Sequence, residues 1–245
     1  PAAKPRLKSV KASKKGGLRA LVEHQDKGGR YAWKVLSETL AYTALVAAEV
    51  SDDILGIDEA MKTGYNWAFG PFELIDKLGA SWFAARLKEE GRPVPPLIEE
   101  IGEGTFYRSE KGRAQYWALE GAYKNIERAD GVLLLSDVKL ASKPVEQNYA
   151  ASLWDLGDGV LCLEFHTKMN AIDMGVLKMI ETAIKTVSSG YKALVIHNEG
   201  SNFSVGANIG VMLFAANIAA WGEVEGMVKK GQAVYKALKY APFPV

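Results

Sequence analysis

The segment Gly200-Ser-Asn-Phe-Ser-Val-Gly-Ala-Asn-Ile-Gly210 carries the residues of this chain best placed for chemistry. It follows the apolar run Ala193-Leu-Val-Ile196, which reads as a buried strand. It leads into a second apolar run, Val211-Met-Leu-Phe-Ala-Ala216. A strand that ends in small residues and then opens a helix leaves backbone N–H groups unpaired at the helix start. With the helix dipole behind them, such groups suit an anion or a developing oxyanion. Gly206 would let the backbone come close to a ligand. An ordinary strand–turn–helix junction shows the same Gly-Ala pair, so the reading turns on other residues.

Those residues stand upstream, in Phe165-His-Thr-Lys-Met-Asn-Ala-Ile172. Together the two segments resemble the first half of the crotonase (enoyl-CoA hydratase/isomerase) family. That family pairs a Lys-x-Asn-Ala segment with a Phe-Ser/Cys-x-Gly-Ala-Asp loop at about this separation. The resemblance implies that the backbone N–H of Ala207 is one of two that hold a thioester oxyanion. It also implies that Lys168, Met169 and Ala171, with Val205, Gly206, Asn208 and Ile209, line the path of coenzyme A. Asn208 stands where the family usually has Asp, which leaves the backbone role intact and weakens a side-chain role. Val211 to Ala216 could wall an acyl pocket or simply pack in a core.

These segments need elements to hold them. From Ala150 onward, Ala151–Leu156 and Val160–Phe165 read as strands joined by a tight turn at Gly157-Asp-Gly159. Met174–Val187 reads as an amphipathic helix, Tyr191–His197 as a strand and Gly222–Tyr240 as a long helix. This order fits the start of a spiral of ββα units.

Before Lys143 the pattern is helical. Arg30–Val50 places Val35, Leu36, Leu40, Thr43, Val46, Ala47 and Val50 at helical spacing. Further helices read as Asp53–Thr63, Phe72–Leu78 opened by Pro71, and a segment capped by Ser81 that runs to Glu90. A helical turn follows at Pro96–Ile101. Thr105–Gly121 suggests an irregular or hairpin segment, Asp130–Ala141 one more helix, and Lys143–Asn148 a linker. The run Ala60-Met-Lys-Thr-Gly-Tyr-Asn-Trp-Ala-Phe-Gly-Pro-Phe-Glu-Leu-Ile-Asp-Lys-Leu-Gly79 resembles the C-terminal helical domain of 3-hydroxyacyl-CoA dehydrogenases, with their Gly-Pro-Phe-x-Leu-x-Asp-x-x-Gly segment. Gly70 allows a sharp turn, Pro71 presets the first helical φ, and Phe72, Leu74, Ile75 and Leu78 share a face. No catalytic group falls in the motif.

The fold class expected is therefore a mainly α N-terminal domain (3-hydroxyacyl-CoA dehydrogenase C-terminal-like, 1–143) plus an α/β crotonase-type ββα spiral (149–245), truncated at its C-terminus. The order resembles the middle of a bifunctional enzyme of fatty-acid β-oxidation. That resemblance implies an NAD-binding domain before Pro1 and the rest of a hydratase after Val245. The start at Pro1 and the end at Pro242-Phe-Pro-Val245 are expected of a piece of a longer protein.

Composition bounds the alternatives. With 245 residues and 48% hydrophobic residues, a packed core is available. A net charge of +1 argues against a dedicated nucleic-acid binder. The basic residues Lys4, Arg6, Lys8, Lys11, Lys14 and Lys15 are expected to form a solvated arm; contact with nucleic acid or with the phosphates of CoA are the other readings. One cysteine, Cys162, sits in an apolar run, excludes an internal disulfide and suits a reducing cytoplasm. No apolar run is long enough to span a bilayer.

Hydride transfer to NAD needs a Gly-rich βα turn, and no G-x-G-x-x-G is present, so NAD is expected for the parent dehydrogenase and not at a site in this chain. His24, His166 and His197 are scattered and read as structural. Hydration needs an acid/base pair. In the crotonase family this is two glutamates after a second Gly-rich loop. Glu181, Glu199, Glu223 and Glu225 do not match those positions and read as surface charges. Cys162 and His166 lack further ligands, so no metal is expected. The reading is part of an enzyme that hydrates trans-2-enoyl-CoA and oxidises 3-hydroxyacyl-CoA with NAD, inactive in isolation, with an acyl-CoA substrate and self-association left open. The alternative is a non-catalytic acyl-CoA-binding or assembly module.

Overall fold

The structure is a computed structural model that describes residues 7–200 and 202–245. The chain divides into two compact units, Pro1–Ala129 and Asp130–Val245.

The first unit opens with α1 (Lys8–Val22), kinked at Gly17, where φ is 68°. Lys4 and Arg6 of the basic arm lie outside the described residues. Lys8, Lys11, Lys14 and Lys15 stand on α1 rather than on a solvated tail. The helix is held because the Asp26 carboxylate accepts from Ser9 N at 3.0 Å and because Leu18 and Val22 join the core. The same carboxylate caps α2 (Lys27–Val50) by accepting from Gly29 N at 2.9 Å. These backbone bonds hold the Asp26 pKa well below the usual carboxylate range. The inward face of α2 is Trp33, Ser37, Leu40, Ala44 and Ala47. Val35 and Val50, expected on the buried face, are exposed. The apolar stripe of the sequence is wider than one helix face can bury, and Trp33 anchors the helix one step round.

Next come α3 (Ile54–Gly64), α4 (Pro71–Leu78), α5 (Ala80–Glu89) and α6 (Pro96–Ile101). Gly79, at φ 87°, ends α4 and directly precedes α5. It takes the N-cap place expected of Ser81, whose hydroxyl donates to Glu103 instead. The aromatic stretch beyond α6 is a three-stranded antiparallel meander, β1 (Tyr107–Glu110), β2 (Arg113–Ala118) and β3 (Ala122–Asn125), not a single hairpin. Phe72, Ile75, Leu78, Phe83, Leu87, Ile98 and Phe106 form the centre of the core. The Phe72 and Phe106 rings meet edge to face at 4.9 Å.

In the second unit, α7 (Leu135–Ala141) is shorter than the expected helix and packs Leu135 against Trp154 and Cys162. The expected linker contains β4 (Glu146–Gln147), which pairs with β5 (Ala151–Asp155). The division between units therefore falls before α7, earlier than the linker read from Lys143-Pro144, because α7 and β4 find their partners in the second unit. β5 and β6 (Val160–Phe165) form an antiparallel hairpin through the Gly157–Gly159 turn. α8 (Met174–Gly190) then crosses to β7 (Ala193–Ile196), which runs parallel to β6. Leu153, Leu161, Leu163 and Phe165 share a core with Val176, Ile180, Ala183 and Val187 of α8. α9 (Ile209–Asn217) and α10 (Trp221–Lys239) follow, and Leu194 N donates to Pro244 O at 2.9 Å beside β7.

Candidate functional site

The two sequence segments that could do chemistry meet. After β6 the chain turns through a short 3-10 element at Lys168–Asn170, with Met169 and Asn170 in the left-handed region at φ 59° and 54°. Thr167 Oγ1 donates to Ala171 O at 2.6 Å and tightens that turn. Asn170 Nδ2 donates to Asn202 O at 2.9 Å, and Ser204 Oγ donates to Asn170 O at 2.7 Å. Asn198 fixes the other end, accepting from Phe165 N at 2.7 Å and donating to Phe203 O at 2.6 Å. Left-handed backbone at two successive non-glycine residues is costly and persists only where the surroundings hold it. Here the side-chain bonds of Thr167, Asn170 and Ser204 do so.

The backbones of the two segments pair in a one-residue parallel bridge between Ile172 and Ala207. Ile172 N donates to Gly206 O at 2.8 Å, and Asn208 N donates to Ile172 O at 3.0 Å. In such a bridge the residue between those two bonds turns its own N–H and C=O to the other side. The N–H of Ala207 is therefore directed away from Ile172 and takes no part in the ladder. Gly206, at φ 82°, meets nothing within 4 Å where a side chain would begin, so its need for glycine is conformational and the space before it is open. Asn208 Oδ1 accepts from Gly210 N at 3.2 Å and caps α9, so its side chain has a structural role that an amide fills.

Ala207 and Asn208 lie on an apolar cavity of about 290 Å³ between α8, α9 and α10. Met174 and Leu177 close it from α8, Val211 and Met212 from α9, and Met227, Val228 and Tyr235 from α10. Of the residues expected on a ligand path, Ala207 and Asn208 reach this cavity. Lys168, Met169, Ala171, Val205, Gly206 and Ile209 do not line it. Met169, Val205 and Ile209 are exposed at 56%, 48% and 74% on the outer side of the same loops. Leu213 and Phe214 are exposed as well, so α9 is not a core helix. The contribution of α10 was missed in the sequence. Its apolar positions Met227, Val228 and Tyr235 recur at helical steps and were the available signal.

Several other titratable groups are engaged elsewhere. Glu181 pairs with Lys230, Glu225 with Lys229, and Glu199 accepts from Ser136 N at 3.0 Å. His24 Nδ1 accepts from Asp26 N, and His166 Nε2 lies 3.0 Å from Ser152 Oγ. Burial pushes the Cys162 thiol up to about 11. Among the described residues no group of three His, Cys, Asp or Glu is placed to hold a metal ion.

In the first unit the Gly-Pro-Phe motif has a structural logic. Asp58, 1% exposed, accepts from Phe72 N at 2.9 Å, from Glu73 N at 3.1 Å and from the Tyr107 hydroxyl at 2.9 Å. A carboxylate on α3 thus caps α4. A Cβ on Gly70 would stand 2.1 to 2.5 Å from Asp58 atoms, so glycine leaves room for that cap. Asp76 accepts from Phe106 N at 2.7 Å and Tyr107 N at 2.8 Å, which ties α4 to β1. Burial is the main cause that pushes both carboxyls up to about 6.

The chain is similar to enzymes of fatty-acid oxidation. It is 37% identical to a Bacillus subtilis protein named as a probable 3-hydroxyacyl-CoA dehydrogenase, over 98% of this chain and 31% of that protein. It is 25% identical to a Rickettsia felis protein, and 24% identical to one of Rickettsia prowazekii, each provisionally named a fatty acid oxidation complex trifunctional enzyme. Those two matches cover 87% and 91% of this chain and 27% and 28% of the relatives. The chain thus spans about a third or less of the length of these curated relatives. No family model matches it. Among the described residues no helix is long and apolar enough to cross a membrane.

Proposed function

We propose that the chain is a segment of a β-oxidation enzyme that hydrates trans-2-enoyl-CoA and oxidises 3-hydroxyacyl-CoA with NAD. In this reading the first unit is the helical domain of the dehydrogenase and the second is the opening half of a crotonase-like hydratase. The observation that carries the hydratase part is the Ala207 N–H, turned out of its ladder at an apolar cavity. An enoyl thioester develops negative charge on its carbonyl oxygen as water adds at C3. A fixed N–H aimed at that oxygen needs no reorganisation when the charge appears. The apolar cavity beside it would take the acyl chain and exclude water from the reacting carbons. The names of the relatives support the dehydrogenase and fatty-acid oxidation parts.

The groups of this chain supply binding and one oxyanion donor. Among the described residues Asp173 is the one carboxylate on the cavity, and it caps α8 by accepting from Val176 N at 3.0 Å. The acid/base pair for hydration and the site for NAD would come from other parts of the longer protein. The 245-residue chain by itself is therefore expected to catalyse neither step. The test is a paired assay. The intact protein should hydrate crotonyl-CoA and should reduce NAD with a 3-hydroxyacyl-CoA, and the isolated chain should do neither. An intact protein that oxidises but never hydrates would remove the crotonase half of the reading.

A further inference from the structure

The apolar cavity at Ala207 has a size and a shape that bear on which acyl chains suit it. On its α10 side it is lined by Met227, Val228, Gly231, Gln232 and Tyr235, which share one face of that helix. From Met227 to Tyr235 the helix advances about 12 Å, so the cavity follows α10 for more than two turns. A methylene takes about the room of one water in the liquid, about 30 Å³. A cavity of about 290 Å³ therefore accommodates a chain of about ten carbons. A crotonyl group would fill less than half of it and leave an apolar void whose walls lose their contacts.

Met174, Met212 and Met227 reach the cavity from three different helices, α8, α9 and α10. Unbranched thioether side chains re-pack around ligands of different shape. The cavity can then grade chains by how much of it they fill, up to the limit of its volume. Gly231 bears on that limit. It lies inside α10, outside the positive-φ region, and a Cβ there would meet nothing within 4 Å. Neither backbone conformation nor crowding calls for glycine, which weakens a helix interior relative to alanine. What the missing side chain leaves is space on the cavity side of the helix. Gly226, on the same helix and equally uncrowded, does not line the cavity.

We propose that this cavity selects medium-chain acyl thioesters, up to about ten carbons, and that the absent side chain at Gly231 sets the limit. The proposal rests on the hydratase reading of the Ala207 loop.

Hydration of trans-2-enoyl-CoA from C4 to C16 by the intact protein tests it. Each buried methylene is worth about a fourfold gain in binding. The kcat/KM should therefore climb from C4 to about C10 and then level off or fall. Gly231→Leu puts a four-carbon side chain into the cavity, so the C10-to-C4 ratio of kcat/KM should drop about 100-fold. Gly226→Leu adds the same side chain away from the cavity and should keep the wild-type ratio. Both positions are uncrowded, so the circular dichroism of the variants should match the wild type. A second readout needs no turnover. In calorimetry of the 245-residue chain, decanoyl-CoA should bind more tightly than butyryl-CoA, and Gly231→Leu should erase the difference. A flat or C4-peaked profile overturns the proposal. So does an unchanged ratio in Gly231→Leu, or an equal drop in Gly226→Leu. If no chain length is hydrated, calorimetry separates the two ideas: a Gly231-dependent preference for decanoyl-CoA leaves the selection standing without the hydratase, and its absence ends both.

Discussion

The Gly70–Asp58 contact makes a quantitative prediction about stability. Gly70 has φ −72° and ψ 166°, which alanine adopts without strain. The cost of Gly70→Ala is therefore steric. Its Cβ would lie 2.1 Å from Asp58 Cγ, 2.3 Å from Cβ and 2.5 Å from Oδ1, all in a side chain that is 1% exposed. Either α4 shifts or the Asp58 carboxylate leaves its place. The second route gives up three hydrogen bonds, each worth about 1 kcal/mol net. Alanine regains about 0.5–1 kcal/mol by lowering the entropy of the unfolded chain. The expected loss is about 2 kcal/mol. Gly64→Ala is the matched control: it lies in α3 and would meet nothing within 4 Å, so it should be neutral or stabilising by up to about 1 kcal/mol. Urea unfolding followed by far-ultraviolet circular dichroism reads both. A double-mutant cycle isolates the cause. In an Asp58→Gly background, which removes the Cβ as well as the carboxylate, Gly70→Ala should cost much less, a coupling of about 1–2 kcal/mol. Gly70→Ala within about 0.5 kcal/mol of wild type, or strict additivity with Asp58→Gly, would refute the role given to glycine.

The remaining predictions concern pH, catalysis and domain structure. Asp58 and Asp76 have carboxyls pushed from 3.8 up to about 6, so both are neutral in the folded and unfolded chain below 3.8, and the folded chain gives up its protons later. Stability of the first unit should then fall as pH rises from about 4 to 7, by at most about 3 kcal/mol per group; a flat or rising profile, or one unchanged in Asp76→Asn, counts against it. In the intact enzyme, Ala207→Pro should lower hydration about 100- to 1,000-fold and spare NAD reduction. Ala207→Gly should keep most of both, because it keeps the N–H; equal loss of both activities in a folded proline variant would make Ala207 a structural position. Mild proteolysis should cut first between Glu127 and Leu134, an exposed stretch with no helix or strand, while the segment around β4 resists because it is paired; early cleavage at Ser142–Tyr149 would place the division there instead.

How much of this was legible in the sequence depends on what each signal measures. Periodicity found the hairpin β5–β6, α8, β7 and α10, because each buries one regular face. It misjudged α2, where two apolar stripes share one helix and the pattern cannot say which one faces inward. It missed β4, a two-residue strand whose pairing is decided by β5 and not by its own polar residues. Caps were read by residue type, so Asp53 was found at the start of α3. Ser81 was favoured over Gly79, since a local motif does not reveal that Gly79 ends one helix and starts the next. The Gly-Pro-Phe motif was visible as a pattern, but its reason lies in Asp58, which is remote in sequence from the helix it caps. The same limit applies to the candidate site. The Ala207 loop was conspicuous because glycine, alanine and asparagine cluster there. The cavity it opens on depends on α10, whose Met227, Val228 and Tyr235 look in sequence like any core stripe. A hydrogen bond that a backbone group does not make is set by the register of two distant segments. It is therefore the bridge at Ile172, and not any residue type, that leaves the Ala207 N–H outside the ladder.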